Sequence, residues 1–182
     1  MKPLWLLTLA LVPLGMLRAQ TESEKTAPFA PLDYFDANCT RCHGPYGSFY
    51  GAEFGKNLKD DAALRHIVKE MAEGPGNAPL NHKDLETLTD FHRALRDGKP
   101  YLVLVATEKN EVGITLRGEA TPESKVTLED GTQIVEVTLE GHKWDVSVPT
   151  GFEVGKAKLR AVKDGKESLV DLITKQASST ED

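Results

Sequence analysis

The chain has few cysteines, few methionines and few aromatic residues, and it has no long hydrophobic run. Two cysteines among 182 residues exclude a small domain that is held together by a framework of disulfides. The longest mostly apolar stretch covers residues 4–17, which is shorter than the roughly 20 residues that a membrane-spanning helix needs. Basic residues are also scarce, since 22 lysines and arginines face 28 aspartates and glutamates. The net charge of -6 argues against nucleic acid as a partner.

The N-terminus is typical of a secretory leader. Lys2 forms a short basic region, residues 4–17 form the apolar region, and Ala19 is suited to cleavage. We therefore predict a signal peptide over residues 1–19 and export to the periplasm. An uncleaved N-terminal anchor is the alternative, but the apolar stretch is short for one, so no stable membrane anchor is expected.

The two cysteines and the histidine beside them form the most informative pattern, because residues 39–43 read Cys-Thr-Arg-Cys-His. A disulfide between Cys39 and Cys42 would close a very short loop and add little stability. A thioredoxin-like dithiol usually opens a helix after a strand and does not need the histidine. Covalent haem attachment needs both features, since two thioethers tether the porphyrin and the turn directs His43 toward the iron. The pattern favours one haem c per chain, bound by Cys39 and Cys42, with His43 as the proximal iron ligand.

The residues around this motif resemble class I cytochromes c over about residues 30–98. Residues 32–38 look like the short N-terminal helix of that family. Residues 44–58 look like its small-residue turn, its loop rich in glycine and aromatics, and the segment before its third helix. The resemblance implies a small all-α haem domain over residues 28–99 and redox proteins as partners.

Two helices are predicted after this loop. The first follows the N-cap residues Asp60 and Asp61, and the second begins near Asn81. Apolar residues recur at helical spacing in both: Leu64, Ile67, Val68 and Met71 in the first, and Leu85, Leu88, Phe91 and Leu95 in the second. In the resembled family the first and last helices cross, which predicts a contact of Phe35 with Phe91 and Leu95.

The sixth iron ligand has several candidates. Class I cytochromes c usually supply a methionine from a Met-Pro pair before the last helix, but residues 78–79 are Ala-Pro here. Met71 lies a few residues upstream, and it is the one methionine outside the predicted leader. We expect Met71 to be the ligand, because thioether with imidazole is the common pairing in electron-transfer cytochromes. Packing in the core is its alternative role, and His82, Asn77 and a vacant position are the other candidates for the sixth site.

The second half of the chain changes character after Pro100. Apolar and polar residues alternate in short segments that are separated by glycine and Asp-Gly turns. About seven strands at this spacing predict a β-sandwich over residues 101–175, and residues 114–171 resemble bacterial immunoglobulin-like domains. Residues 176–182 are polar and are predicted to be a disordered tail. The predicted fold class is α + β in two domains, a small all-α cytochrome c domain followed by an all-β immunoglobulin-like sandwich.

The second half shows no catalytic constellation, so we do not expect an enzyme. It has no cysteine, one histidine and no carboxylates at metal-ligand spacing. The expected function is single-electron transfer between redox partner proteins in the periplasm. A haem-based sensor of small ligands with an open sixth site is one alternative, and a non-catalytic haem subunit of a larger redox complex is the other.

Overall fold

The computed structural model describes residues 28–51, 53–111 and 113–172. The predicted signal peptide at residues 1–19 and the predicted tail at residues 176–182 lie outside this part of the chain. Within it, no helix combines the length and the apolar character that a membrane crossing requires.

The described residues form five α-helices followed by eight β-strands. The helices are α1 (Pro31–Asn38), α2 (Thr40–His43), α3 (Phe54–Asn57), α4 (Asp61–Glu73) and α5 (His82–Asp97). The strands are β1 (Leu102–Asn110), β2 (Gly113–Ala120), β3 (Lys125–Glu129), β4 (Ile134–Val137), β5 (Leu139–Glu140), β6 (Lys143–Ser147), β7 (Lys158–Lys163) and β8 (Lys166–Asp171). Single turns of 3-10 helix occur at Pro45–Gly47 and Val154–Lys156.

The two longer helices begin where the sequence predicts them. The Asp60 carboxylate accepts a hydrogen bond from the Ala62 N–H at 3.0 Å, which caps α4. The Asn81 side chain accepts one from the Asp84 N–H at 2.9 Å, which caps α5. Both bonds satisfy N–H groups that the start of a helix leaves unpaired. Gly98, with a left-handed φ of 61°, ends α5. Both helix predictions are confirmed.

The strands form two antiparallel sheets of four strands each. The first sheet has the order β1-β2-β6-β5 and the second has the order β4-β3-β7-β8. Alternate residues of the strands point into one buried cluster shared by both sheets, which includes Leu116 and Trp144 from the first and Leu128 and Leu159 from the second. The alternation predicted for the second half is thus confirmed as β-structure, and β1 is its first strand.

The predicted fold class is wrong. The chain is built mainly on two antiparallel sheets, three of the five α-helices in the described residues have eight residues or fewer, and no all-α cytochrome domain is evident there. The periodicity of a sequence shows helices and strands but not which of them share a core. Here Tyr101, just before β1, and Val103, in β1, belong to the same buried cluster as Leu32, Phe35 and Phe91 of the helices. The helices therefore do not enclose a core of their own.

A buried carboxylate of β2 joins the helices to the first sheet. Glu119 is 2% exposed. Its Oε2 accepts a hydrogen bond from the Leu32 N–H at 2.7 Å, and its Oε1 accepts one from the Asp33 N–H at 3.1 Å. Ala30, the N-cap residue of α1, offers no side-chain cap. Glu119 lies 87 positions after Leu32 in the chain, yet it caps the helix that leads to the Cys-Thr-Arg-Cys-His motif.

Replacing Glu119 by glutamine should lower the free energy of unfolding by about 1–3 kcal/mol. The amide keeps the volume of the side chain, but its NH₂ group would face a backbone N–H and leave that buried donor without a partner. Urea unfolding followed by circular dichroism measures the loss.

Glu108→Gln is the matched control for this experiment. Glu108 pairs with Arg117 on the surface of the first sheet at 2.5 Å, and both side chains are about half exposed. Its replacement should cost less than about 1 kcal/mol. Equal losses in the two variants would contradict the capping role of Glu119.

Candidate functional site

The three motif residues lie within a single helical turn. The Cys39 carbonyl accepts hydrogen bonds from the N–H of Cys42 at 3.1 Å and from the N–H of His43 at 3.0 Å. Cys39 is the N-cap residue of the short helix α2, and Cys42 and His43 are its last two residues. The turn therefore brings two thiols and one imidazole into one short segment.

Gly44 ends this turn and lets the chain fold back over it. Its φ of 73° lies in the left-handed region, and a Cβ atom at this position would come within 2.8 Å of the Phe49 ring. Beyond Gly44, the Phe49 N–H donates to the His43 carbonyl at 2.9 Å. Glycine at position 44 thus permits a compact loop over residues 44–49.

The two sulfur atoms differ in their exposure. Both cysteines are free thiols, Cys39 being half-buried against the helical cluster and Cys42 exposed. Burial raises the pKa of the Cys39 thiol, and the neighbouring Cys42 raises it further. Reactive dithiols have a lowered thiol pKa. The environment of Cys39 is therefore poorly suited to thiol–disulfide exchange.

Two aromatic rings lie near the imidazole of His43. Its ring centroid lies 4.7 Å from that of Tyr50 and 6.5 Å from that of Phe35. Phe35 is fully buried and meets Phe91 of α5 edge to face, with 5.1 Å between the centroids. This confirms the predicted contact of Phe35 with Phe91. His43 is half-buried and lies where the helical cluster meets solvent.

The Tyr50 hydroxyl reaches a second histidine. Tyr50 Oη lies 3.0 Å from Nε2 of His92, which is 6% exposed on α5. Nδ1 of the same ring lies 2.9 Å from the Leu88 carbonyl. Burial lowers the pKa of His92 to about 4, so the ring is neutral at neutral pH. No local sequence pattern relates His92 to Tyr50, because the two residues are 42 positions apart.

The candidates for the sixth ligand lie on α4, in the loop after it and at the start of α5. Met71 is 41% exposed, whereas Leu64 and Val68 of the same apolar stripe are buried. Its alternative role as a core residue is therefore disfavoured, and ligation stays a prediction. Asn77 is exposed in the loop with a left-handed φ of 46°. His82 is the exposed first residue of α5.

A hydrogen bond from Tyr34 links α1, which leads into the motif, to the loop before α5. Its hydroxyl donates a hydrogen bond to the Ala78 carbonyl. Burial raises the pKa of Tyr34 to about 12, and the neighbouring Cys39 adds to the effect. The Ala-Pro segment at residues 78–79 is thus held beside α1.

The chemistry of the donor set fits a covalently bound haem. Two free thiols three positions apart can form the two thioethers, and the imidazole that follows can ligate iron. A cleft of about 380 Å³ lies beside Tyr50 and Phe54, but none of the three motif side chains lines it. The fit therefore depends on the donor set and not on a preformed cavity.

A second polar cluster joins α1, β2 and the turn before β6. Nε2 of His142 lies 2.8 Å from the Asp33 carboxylate and 3.5 Å from that of Glu119. Its Nδ1 lies 3.1 Å from the Tyr46 hydroxyl, in the loop after the motif. Nζ of Lys143 lies 2.8 Å from the other oxygen of Asp33. Sequence reasoning missed this cluster, because Asp33 and His142 are 109 positions apart and no local pattern relates them.

The ligand-type side chains Asp33, Glu119 and His142 lie close enough together to surround a metal ion. However, the ammonium of Lys143 and the N–H groups of α1 already occupy the two carboxylates. Burial alone would raise the pKa of Asp33, but hydrogen bonds from Lys143 and His142 outweigh it and hold that pKa below its usual value. The cluster is therefore a structural link between the helices and the first sheet.

Comparison with known proteins adds no assignment to this site. No model of a protein family, no curated protein and no solved structure matches the chain.

The buried His92 should make the haem-free protein less stable in mild acid. The unfolded chain protonates this ring near its ordinary pKa of 6.5, whereas the folded chain keeps it neutral down to about 4. Because the unfolded state binds more protons in this interval, the free energy of unfolding should fall by about 2 kcal/mol as the pH decreases from about 7 to about 5. Urea unfolding at both pH values measures the difference, which His92→Gln should largely remove.

His66→Gln serves as the control, because His66 is exposed on α4 beside Glu70. This variant should keep the pH dependence of the wild type. If His92→Gln keeps it as well, another group is responsible for the acid sensitivity.

Proposed function

We propose that this protein is an exported c-type haem protein that carries single electrons between redox partner proteins. The observation that carries the proposal is the single helical turn that begins at Cys39, includes Cys42 and ends at His43. Two cysteines at this spacing followed by histidine are the pattern of covalent haem attachment. The predicted signal peptide supports the proposal, because it implies that the chain matures in the periplasm.

Cys39 and Cys42 would hold the haem through thioether bonds, and His43 would ligate the iron. When it is bound, haem c supplies the exchange of one electron between ferric and ferrous iron. The role of the polypeptide would be to hold the His43 imidazole in place and to keep water away from it. Haem is the only group in this proposal that changes its oxidation state.

Aromatic packing provides the shielding at His43. Phe35 is fully buried on one side of the imidazole. Tyr50, on another side, stacks on Phe54 with 4.3 Å between the centroids and 12° between the ring planes. Apolar surroundings at an axial ligand are among the means by which a protein sets a haem potential.

Cys42 gives the site its exposed side. Arg41 and Cys42 are exposed, and Phe49 in the following loop is 71% exposed. A redox partner needs only brief contact with this side, so the complex would be small and transient. The net charge of -6 favours a partner with a basic surface.

Haem should remain with the polypeptide after denaturation and acidified organic extraction, when the chain is matured in a periplasm that attaches haem. Cys39→Ser and Cys42→Ser should each reduce the covalently bound haem sharply, because each removes one thioether. Haem staining after denaturing electrophoresis measures the retained haem.

Arg41→Gln is the matched control, since Arg41 lies between the cysteines and is exposed. It should retain haem at the wild-type level. Complete extraction of haem from the wild-type chain would overturn the proposal.

Met71→Leu should abolish the weak near-infrared charge-transfer band of the ferric protein and lower its reduction potential. The physical reason is that a thioether opposite an imidazole stabilises ferrous haem. The substitution conserves volume at a residue that is 41% exposed, so the free energy of unfolding should change by less than about 1.5 kcal/mol. Absorption spectra and a redox titration measure both effects.

His82→Ala is the control for the sixth ligand and should leave the band unchanged. If Met71→Leu leaves the band and the reduction potential unchanged while His82→Ala gives a high-spin iron, His82 is the ligand and the assignment of Met71 is wrong. A wild type that is high-spin and binds carbon monoxide readily would favour binding of small ligands as the function. The exposure of Met71 and the alanine at position 78 support this second candidate.

A further inference from the structure

We infer that Tyr50 and His92 form a positioning pair that sets the orientation of the His43 ring. The inference rests on the proposed function, because the orientation of His43 matters for an iron ligand. Neither Tyr50 nor His92 belongs to the motif, and neither would touch the iron in this proposal. Their role is to act through His43.

The directions of the hydrogen bonds at His92 follow from its partners. The Leu88 carbonyl can only accept, so Nδ1 of His92 carries the proton in the 2.9 Å bond between them. In the neutral ring Nε2 is then an acceptor. The Tyr50 hydroxyl, 3.0 Å from Nε2, must therefore donate. One tautomer of His92 satisfies both bonds.

Close packing in the loop holds the Tyr50 ring beside His92. A Cβ atom at Gly47 would come within 2.7 Å of the Tyr50 ring, so glycine permits the close approach. The Tyr50 N–H donates to the Gly47 carbonyl at 3.0 Å. Phe54 stacks on the ring, and Phe35 meets it edge to face with 6.4 Å between the centroids.

The His43 ring lies next to the Tyr50 ring. Its centroid lies 4.7 Å from that of Tyr50, and the ring planes are inclined by 39°. A phenol whose hydroxyl is bonded to a buried helix residue cannot turn away without leaving Nε2 of His92 unpaired. The hydrogen bond between Tyr50 and His92 thus holds the Tyr50 ring in place. The Tyr50 ring in turn restricts the rotation of the His43 imidazole about its Cβ–Cγ bond.

Tyr50→Phe is the decisive variant, because it keeps the ring and removes only the hydroxyl. Tyr46→Phe is the matched control. Tyr46 lies in the same loop and also bonds a histidine, Nδ1 of His142 at 3.1 Å. His142 belongs to the polar cluster on the first sheet and not to the His43 surroundings.

Nuclear magnetic resonance of the haem-free chain gives a readout that does not depend on haem. Nitrogen-15 spectra should show His92 with its proton on Nδ1. Tyr50→Phe should shift the His92 Nε2 resonance and the His43 ring protons, whereas Tyr46→Phe should leave both unchanged. Either of two results would overturn the inference: a proton on Nε2 of His92, or His43 resonances that are the same in Tyr50→Phe as in the wild type.

The haem-loaded protein gives the second readout. The paramagnetic shifts of the haem methyl protons report the plane of the axial imidazole, so Tyr50→Phe should rearrange them while the amount of covalent haem stays constant. Unchanged methyl shifts in Tyr50→Phe would overturn the positioning role. If no haem is attached to the wild type, the proposed function fails, and the experiment on the haem-free chain still decides the pairing of Tyr50 with His92.

Discussion

The cap that Glu119 places on α1 is the constraint on which the position of the motif depends. The first N–H groups of a helix have no partners within it, and at Leu32 they are buried, so an acceptor must come from elsewhere. β2 supplies that acceptor from the centre of the first sheet, between β1 and β6. The eight residues of α1 end at Asn38, and the C-cap residue Cys39 donates its N–H to the Phe35 carbonyl at 2.8 Å. The sheet therefore fixes the start of the helix, and the helix fixes the start of the motif.

Hydrogen bonds to distant residues also hold the loop after the motif. One goes to the β-strands and one goes to the helices. The Tyr46 hydroxyl bonds His142 beside β6, and the Tyr50 hydroxyl bonds His92 on α5. The Tyr101 hydroxyl adds a bond from the start of the strands to the Thr87 carbonyl on α5, at 3.2 Å. The strands are thus more than an appended module, because they complete the core and the polar contacts that hold Cys39, Cys42 and His43. This gives the second half a structural role in holding the motif.

The carboxylates of the polar cluster are directed away from His43. The carboxylates of Asp33 and Glu119 are engaged with Lys143, His142 and backbone N–H groups, on the side of α1 that faces the sheet. Around His43 the neighbours are aromatic rings and the neutral His92. An imidazole in such surroundings interacts with few fixed charges, which would suit the iron-binding role that we propose for His43.

The sequence by itself determined the local features: the caps Asp60 and Asn81, the apolar stripes of α4 and α5, the alternation of the strands, and the spacing of Cys39, Cys42 and His43. These depend on residues a few positions apart, where periodicity and side-chain chemistry act directly. Only the tertiary structure decided that Tyr101 and Val103 complete the helical core, that Glu119 caps α1, and that Tyr50 meets His92. Each of these contacts joins residues distant in the chain, and a buried donor or acceptor takes whichever partner the folding of the whole chain brings near. That is why the two longer helices and the alternating strands were predicted correctly while the fold class was not.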